Sequence, residues 1–493
     1  MVKSVTLASL GLLLTTAALG QHHMPGMDMA APKPQPKPTR PQTAPADTTR
    51  LPAATMPGHD MAGMAADSSG GMMMGLRNSF SKNLPMTRQG SGTSWHPDSS
   101  PMYMQMYQPG GWDVMLMYSV FLRYTRQNFN HPDRRGDANL RANSYIMGMA
   151  NHLVGRRGLF SIQAMLSADP LTVGGAGYPL LFQTGESWQG QKLHDHQHPH
   201  DLLSALAVGY TYAASPDVDL TAYLGYPGEP AVGPPVFMHR PSAANLPTAP
   251  LGHHWQDATH IQFGVATLGV RYRNAKLEGS LFTGREPNEN RYRFDRPRFD
   301  SYSARLSVNP SANLALQASA AHLESPEELE PDDDVDRTSA SVLHNVGVGK
   351  ESMLSSTFVW GMNRHSGHGE ATYSNSFLLE SNLQAKQFNV FTRLETLQQN
   401  YDELVLPALT DHDAHANRQI AAFTLGASRY VAKTKAGWLD LGLTGTLNTF
   451  DSSNATLMQA YGKNPLSFEV YLRFIAPRMS MHMGGGKHAG HMM

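Results

Sequence analysis

Methionine and histidine recur together near both ends of the chain, in segments otherwise rich in proline, glycine and alanine. Thioether sulfur is a soft donor that carries no titrating proton, so clustered methionines select Cu(I) or Ag(I), and imidazole adds affinity for Cu(II) and Zn(II). The pattern predicts metal binding in both segments, and the alternative is low-complexity filler in a linker that tolerates methionine. The candidate ligands are His22, His23, Met24, Met27, Met29, Met56, His59, Met61 and Met64 near the N-terminus, and Met481, His482, Met483, His488 and His491 near the C-terminus.

Four histidines alternate with other residues at positions His194, His196, His198 and His200. In an extended backbone these side chains share one face, whereas a helical turn would pair His194 with His198, an arrangement that Pro199 disfavours. Either arrangement crowds imidazoles together and predicts a Cu(II) or Zn(II) site. The alternative is a hydrated, pH-sensitive loop.

Further imidazoles follow in the next long loop, as the pair His253 and His254 and then His260, with His239 and Arg240 before them. If this loop folds inward, it would meet the 194–200 cluster and form a constriction lined by imidazole and guanidinium groups. We include His253 and His254 among the candidate metal ligands.

Catalysis has weak support in the sequence. His254 or His260 near Asp257 imitates a catalytic dyad, but no nucleophile signature accompanies it. The sequence contains neither a glycine-rich phosphate loop nor a His-Glu-x-x-His zinc-protease motif. We therefore expect no enzymatic activity and no organic cofactor, with copper, as Cu(I) or Cu(II), the expected bound ion.

Composition limits the compartment and the partners. Lys3 precedes an apolar run over 7–19 and a small residue at Gly20, which predicts a signal peptide over 1–20. No later stretch reaches the roughly 18 apolar residues of a spanning helix, so any membrane crossing uses strands. The absence of cysteine excludes disulfides and thiolate sites, and a net charge of -1 gives no basis for nucleic-acid binding.

The second part of the chain alternates apolar and polar residues with a period of two. Leu441 and Leu443 face one way while Asp440 and Thr444 face the other, as expected of a strand between lipid and a polar interior. Sixteen such runs begin near residues 112, 141, 158, 202, 217, 259, 275, 300, 312, 336, 352, 371, 387, 419, 438 and 466.

Short turns alternate with long loops between these runs, which is typical of bacterial outer-membrane barrels with periplasmic turns and outer loops. We predict an all-β fold: a transmembrane antiparallel β-barrel of about sixteen strands (roughly 12–18) after a disordered tail. The expected regions are a signal peptide over 1–20, a disordered Met/His/Pro-rich periplasmic tail over 21–111, the barrel over 112–477, and a Met/His-rich tail over 478–493. The alternative is a soluble β-sandwich or a pair of β-domains.

The barrel region, which closes with Tyr471-Leu472-Arg473-Phe474, resembles outer-membrane porins, although here Met479 and further residues follow the terminal aromatic. The segments 22–29 and 56–64 are similar to the Met/His repeats of bacterial copper-resistance proteins, among them the B-type outer-membrane copper-resistance barrels. The resemblance implies an outer-membrane location in contact with lipid, periplasmic copper-handling proteins as partners, and a homotrimer.

These observations favour a barrel that binds copper or a similar soft metal and contributes to metal resistance or trafficking. The alternative function is that of a general or solute-specific porin whose Met/His tails are incidental. A structural or adhesive surface protein would show neither conductance nor metal dependence.

Overall fold

The computed structural model describes residues 77–349, 351–367 and 371–479. Sixteen antiparallel strands form a closed barrel, because β1 pairs with β2 on one side and with β16 on the other. The strands are Trp112–Arg126 (β1), Ala138–Val154 (β2), Gly158–Leu166 (β3), Leu203–Ala213 (β4), Val218–Gly225 (β5), Val265–Tyr272 (β6), Ala275–Phe282 (β7), Ser301–Ser311 (β8), Leu314–Leu323 (β9), Val335–Gly347 (β10), Met353–His365 (β11), Thr372–Gln384 (β12), Phe388–Gln399 (β13), Arg418–Lys433 (β14), Trp438–Phe450 (β15) and Leu466–Ile475 (β16).

The described residues also form shorter elements. A short strand, Gln105–Tyr107, pairs with β1, and two small hairpins join Tyr178–Pro179 to His196–Gln197 and Glu186–Trp188 to Gln191–Leu193. The helices are Asp169–Thr172 (α1), His253–Gln256 (α2), Asp411–His415 (α3) and Ala455–Tyr461 (α4), with 3-10 turns at Met86–Arg88, Pro109–Gly111 and Phe237–His239. Within the described part of the chain, no helix is long and apolar enough to cross a membrane.

The predicted strand count and order are confirmed. The largest difference in a starting position is at β6, which was expected from residue 259 and begins at Val265. The intervening residues alternate like a strand, and Gln262 pairs its backbone with Gly228, but Gly264 interrupts the regular strand at a φ of 107°. The apolar–polar alternation of the sequence therefore predicted the start of β6 too early.

The two faces of the wall have opposite chemistry, as the alternation predicts. Leu441 and Leu443 of β15 are half exposed on the outside, whereas Asp440 and Thr444 are buried inside. Outward apolar side chains match lipid, and a closed barrel leaves no unpaired strand edge in the membrane.

Residues 77–104 fold inside the barrel, Gln105–Tyr107 pairs with β1, and Pro109–Gly111 forms a turn, so the prediction of a disordered tail is wrong for 77–111. Arg305 of β8 donates a hydrogen bond to Thr93 at 2.8 Å, and Asn345 of β10 donates one to Ser100 at 2.6 Å. This segment has too few apolar residues for a core of its own, but the polar inner wall supplies burial and hydrogen-bond partners. The remainder of the predicted tail, 21–76, and the signal peptide lie outside the described residues.

The long loop over 226–264 also folds inside the barrel and is fixed there by Arg240. Its guanidinium lies 2.6 Å from Asp257 of the same loop and 2.7 Å from Glu380 of β12. Glu380 also contacts Arg393 of β13 at 3.1 Å. All four side chains are at most 2% exposed, so none can be solvated by water if its partner is lost.

Replacing Arg240 with methionine should destabilise the protein strongly. Arg240→Met keeps much of the side-chain volume but removes the positive charge that balances the buried carboxylates of Asp257 and Glu380. Loss of one partner of a buried ion pair typically costs about 3–5 kcal/mol of stability. The measurement is the free energy of unfolding by urea in detergent. The control is Arg273→Met, because Arg273 pairs with Asp217 at the surface and such pairs contribute only about 0–1 kcal/mol. Equal effects of the two substitutions would contradict the assignment.

Candidate metal site

Two inward loops bring Glu186, His198 and His254 together. Glu186 begins the small hairpin between β3 and β4, His198 follows the short strand His196–Gln197, and His254 lies in α2. One potential ligand atom of each residue lies within 4.8 Å of those of the other two, and His198 Nε2 is 2.7 Å from Glu186 Oε1. The predicted meeting of the two histidine loops is therefore confirmed.

His254 has no hydrogen-bond partner among the described residues. Both of its ring nitrogens are buried, and the side chain is 7% exposed. The carboxylate of Glu286 lies 3.7 Å from Nε2, which is too far for a direct hydrogen bond. A buried nitrogen without a partner costs about 1–3 kcal/mol, so these atoms are suited to a ligand.

The charges around this site favour neutral His198. Burial lowers the pKa of His198 well below its usual range, and Arg291 and the neighbouring imidazoles lower it further. The guanidinium of Arg291 in turn holds the second oxygen of Glu186 at 2.7 Å. A neutral imidazole keeps the nitrogen lone pair that a metal requires. For His254, burial acts to lower the pKa, but the Glu286 carboxylate outweighs it and the pKa is raised.

His198 and His254 belong to a larger group, which we call the histidine cluster: His198, His200, His253, His254 and His260. Their ring centroids form a closed circuit, with separations of 6.3, 5.4, 5.3, 5.5 and 6.5 Å between successive members. Five imidazoles from two loops are thus in contact inside the barrel.

Neighbouring oxygens orient three members of the cluster through Nδ1. His200 lies 2.9 Å from a carboxylate oxygen of Asp169, His253 lies 2.7 Å from one of Asp257, and His260 lies 3.0 Å from the Asp257 carbonyl. Oxygen partners of this kind fix the tautomer and the ring orientation of metal-binding histidines. Burial lowers the pKa of His260 well below its usual range, with His253 and His200 adding to the effect.

His194 and His196 contact a different part of the structure. His194 Nδ1 lies 3.2 Å from Arg135, and His196 Nδ1 lies 3.2 Å from the His194 carbonyl. The expectation that all four alternating histidines line one face is wrong, because Asp195 adopts a φ of 55° and interrupts the extended backbone. A metal role for this pair stays a prediction.

The remaining candidate ligands lie outside the described residues, and their metal role also stays a prediction. They are His22, His23, Met24, Met27, Met29, Met56, His59, Met61, Met64, Met481, His482, Met483, His488 and His491. Sequence reasoning omitted Glu186 and His260 from the candidate set. His260 shares its loop with His253 and His254, which was a usable signal, but no spacing in the sequence connects Glu186 to the histidines.

The closed barrel with an apolar outer face decides the location. The protein is an outer-membrane β-barrel. The chain is similar to several solved structures: OmpF of Salmonella typhi in complex with daunomycin is 10% identical with a TM-score of 0.46, the alignment covering 75% of this chain and 100% of that one. An anion-selective porin from Comamonas acidovorans is 12% identical with a TM-score of 0.44, covering 74% and 99%. OmpT of Vibrio cholerae is 8% identical with a TM-score of 0.43, covering 75% and 99%.

These likenesses concern the fold alone. No protein-family model matches the chain, and no curated protein matches it. The function is therefore argued from the residues inside the barrel.

Gly185 permits the close approach of the His254 ring, and Gly185→Ala tests this packing. A Cβ at this position would lie 2.8 Å from the ring, and the backbone has a φ of 100°. We expect Gly185→Ala to lower the free energy of unfolding by about 1–3 kcal/mol more than Gly190→Ala, the usual cost of overpacking. Gly190 is a matched control, because its φ of 70° is also positive but no atom lies within 4 Å of its Cβ position. Urea unfolding of both variants gives the comparison, and similar losses would show that the ring imposes no constraint.

Proposed function

We propose that this outer-membrane barrel binds copper, or a similar soft or borderline metal ion, in its interior and contributes to metal resistance or trafficking. The observation that carries the proposal is the set of Glu186, His198 and His254, whose potential ligand atoms lie within 4.8 Å of one another. Two imidazoles and one carboxylate are a common donor set for Zn(II), and imidazole also suits Cu(II). The ion is cargo in this proposal, held by residues of two loops that come together only in the folded barrel.

The sequence supports the same chemistry at both ends of the chain. The Met/His segments would present soft donors on the periplasmic side, where the resemblance to copper-resistance proteins implies periplasmic copper-handling partners. Those partners, like the homotrimer, stay predictions.

The packing of the interior favours metal binding over general diffusion. A general porin needs a wide aqueous passage, but here residues 77–104 and the loops over 167–202 and 226–264 cover the inner wall. Inward side chains on opposite sides of the barrel, such as Arg305 of β8 and Arg473 of β16, are fully buried. This filled interior suits a small metal ion better than the varied solutes that pass through a general diffusion porin.

Metal titration of the purified full chain tests the site. Alanine at both His198 and His254 should remove one bound equivalent of Cu(II) or Zn(II), or weaken its binding at least about tenfold, because two of three donors are lost. The matched control places alanine at both His194 and His196, which are also histidines and share the loop of His198 but lie outside the histidine cluster. Isothermal calorimetry and metal analysis give the stoichiometry, and near-ultraviolet circular dichroism checks folding. Identical metal content in wild type and both variants would overturn the proposal.

Growth on copper tests the cellular role. A strain that lacks the protein should grow less well across a copper series but normally across a zinc series, and the intact gene should restore growth. The gene with alanine at His198 and His254 should restore it less than the gene with alanine at His194 and His196. If all strains grow equally and contain equal copper, the metal role fails, and solute conductance in planar bilayers would then test the porin alternative.

A further inference from the structure

A second set of soft donors lies inside the barrel on strands β1 to β3. Met115 and Met117 of β1, Met147 and Met149 of β2, and Met165 of β3 belong to one cluster, and four of these five side chains are at most 5% exposed. Neither the histidine cluster nor the Met/His tails include any of them.

The strand register places these thioethers side by side. Met115 is directly opposite Met149, and Met147 is directly opposite both Met117 and Met165. Directly opposed residues have Cβ atoms about 4.5–5.5 Å apart. The inner wall therefore presents a patch of sulfur donors that spans three strands.

The interior segment completes the patch from the other side. Met86, Met102 and Met104 are buried against it, and all seven buried members of this group are methionine. The Met479 backbone donates a hydrogen bond to the Met102 carbonyl at 2.9 Å, so the residues after β16 also reach this group. We call these residues, with the partly buried methionines packed against them, the methionine cluster.

Ordinary core packing is an insufficient reason for this composition. Methionine is a flexible filler of irregular gaps, and leucine fills a similar volume at small cost. Another buried cluster inside the barrel, around Phe80, Tyr223 and Phe282, contains no methionine among its described members. Gln89 Nε2 also lies 3.2 Å from Met149 Sδ, so the amide donates to the sulfur lone pair. The sulfur of Met149 thus acts as an acceptor as well as an apolar contact.

A cavity of about 130 Å³ lies beside this cluster and reaches one member of the histidine cluster. Its lining includes His200 of the histidine cluster and Met102, Met104 and Met149 of the methionine cluster, together with His239 and Met238. A single water needs roughly 10–15 Å³ of such volume, so a monovalent cation fits. An ion could therefore contact nitrogen and sulfur donors within one space.

We infer that the methionine cluster is a binding site for a soft monovalent cation, Cu(I) or Ag(I), inside the barrel. Neutral thioethers in a buried, polarizable environment favour such an ion over Zn(II) or Cu(II), without any change in its oxidation state. The site stands on its own residues, and only its use in moving an ion from the histidine cluster rests on the proposed function.

The test is Ag(I) binding to the full chain with leucine at Met115, Met147 and Met149. These substitutions preserve volume but remove sulfur, so the variant should bind one equivalent of Ag(I) fewer, or bind it at least about tenfold more weakly, in calorimetry and metal analysis. The matched control carries leucine at Met353, Met362 and Met458, which lie outside the methionine cluster, and it should bind like wild type. Equal Ag(I) content in all three proteins would overturn the inference.

Two further measurements keep the outcomes distinct. Alanine at His198 and His254 should leave this Ag(I) equivalent in place, whereas leucine at the three methionines should leave Cu(II) and Zn(II) binding in place, so either site can fail alone. Anomalous scattering from Ag(I)-soaked wild-type crystals is independent of any variant. A silver peak among Met115, Met147 and Met149 supports the site, and silver found only elsewhere contradicts it.

Discussion

The buried ion pairs of Arg240 are the interaction on which the structure inside the barrel depends. Its guanidinium joins Asp257 of the inward loop to Glu380 of the wall, in a place that water does not reach. Asp257 also holds His253 at 2.7 Å and accepts a hydrogen bond from the Phe237 backbone at 2.9 Å. The position of the histidines that this loop contributes to the cluster, His253, His254 and His260, thus follows from one buried cation and the two carboxylates that compensate its charge.

Much of the barrel could be predicted because lipid and interior impose opposite demands on successive residues. The alternation seen around Leu441 and Leu443 recurs along the wall, and the starts of fifteen of the sixteen strands followed from it to within about three residues. The interior segment over 77–104 could not be predicted in this way. Its composition resembles a disordered tail, because the wall contributes the burial and the hydrogen bonds that the segment lacks on its own.

The candidate site, too, could be predicted only in part from the sequence. The approach of His198 to His254 followed from two histidine-rich loops on one side of the barrel, but the separation of His194 and His196 depends on the backbone of Asp195. Glu186 had no signal because its contact with His198 exists only after folding. Several residues of the methionine cluster are two residues apart in the sequence, although only the strand register shows that they oppose one another.

The location of the two clusters along the strands gives the barrel an internal direction. Met115 and Met117 lie near the start of β1, the end where the short turns connect the strands, whereas the histidine cluster comes from loops at the opposite end. Nitrogen donors thus lie toward one rim and sulfur donors toward the other. With a metal such as copper, gain or loss of one electron would change which rim holds it more tightly. A cation that enters at one rim and leaves at the other would thus meet donors of different softness, with no moving part in the protein.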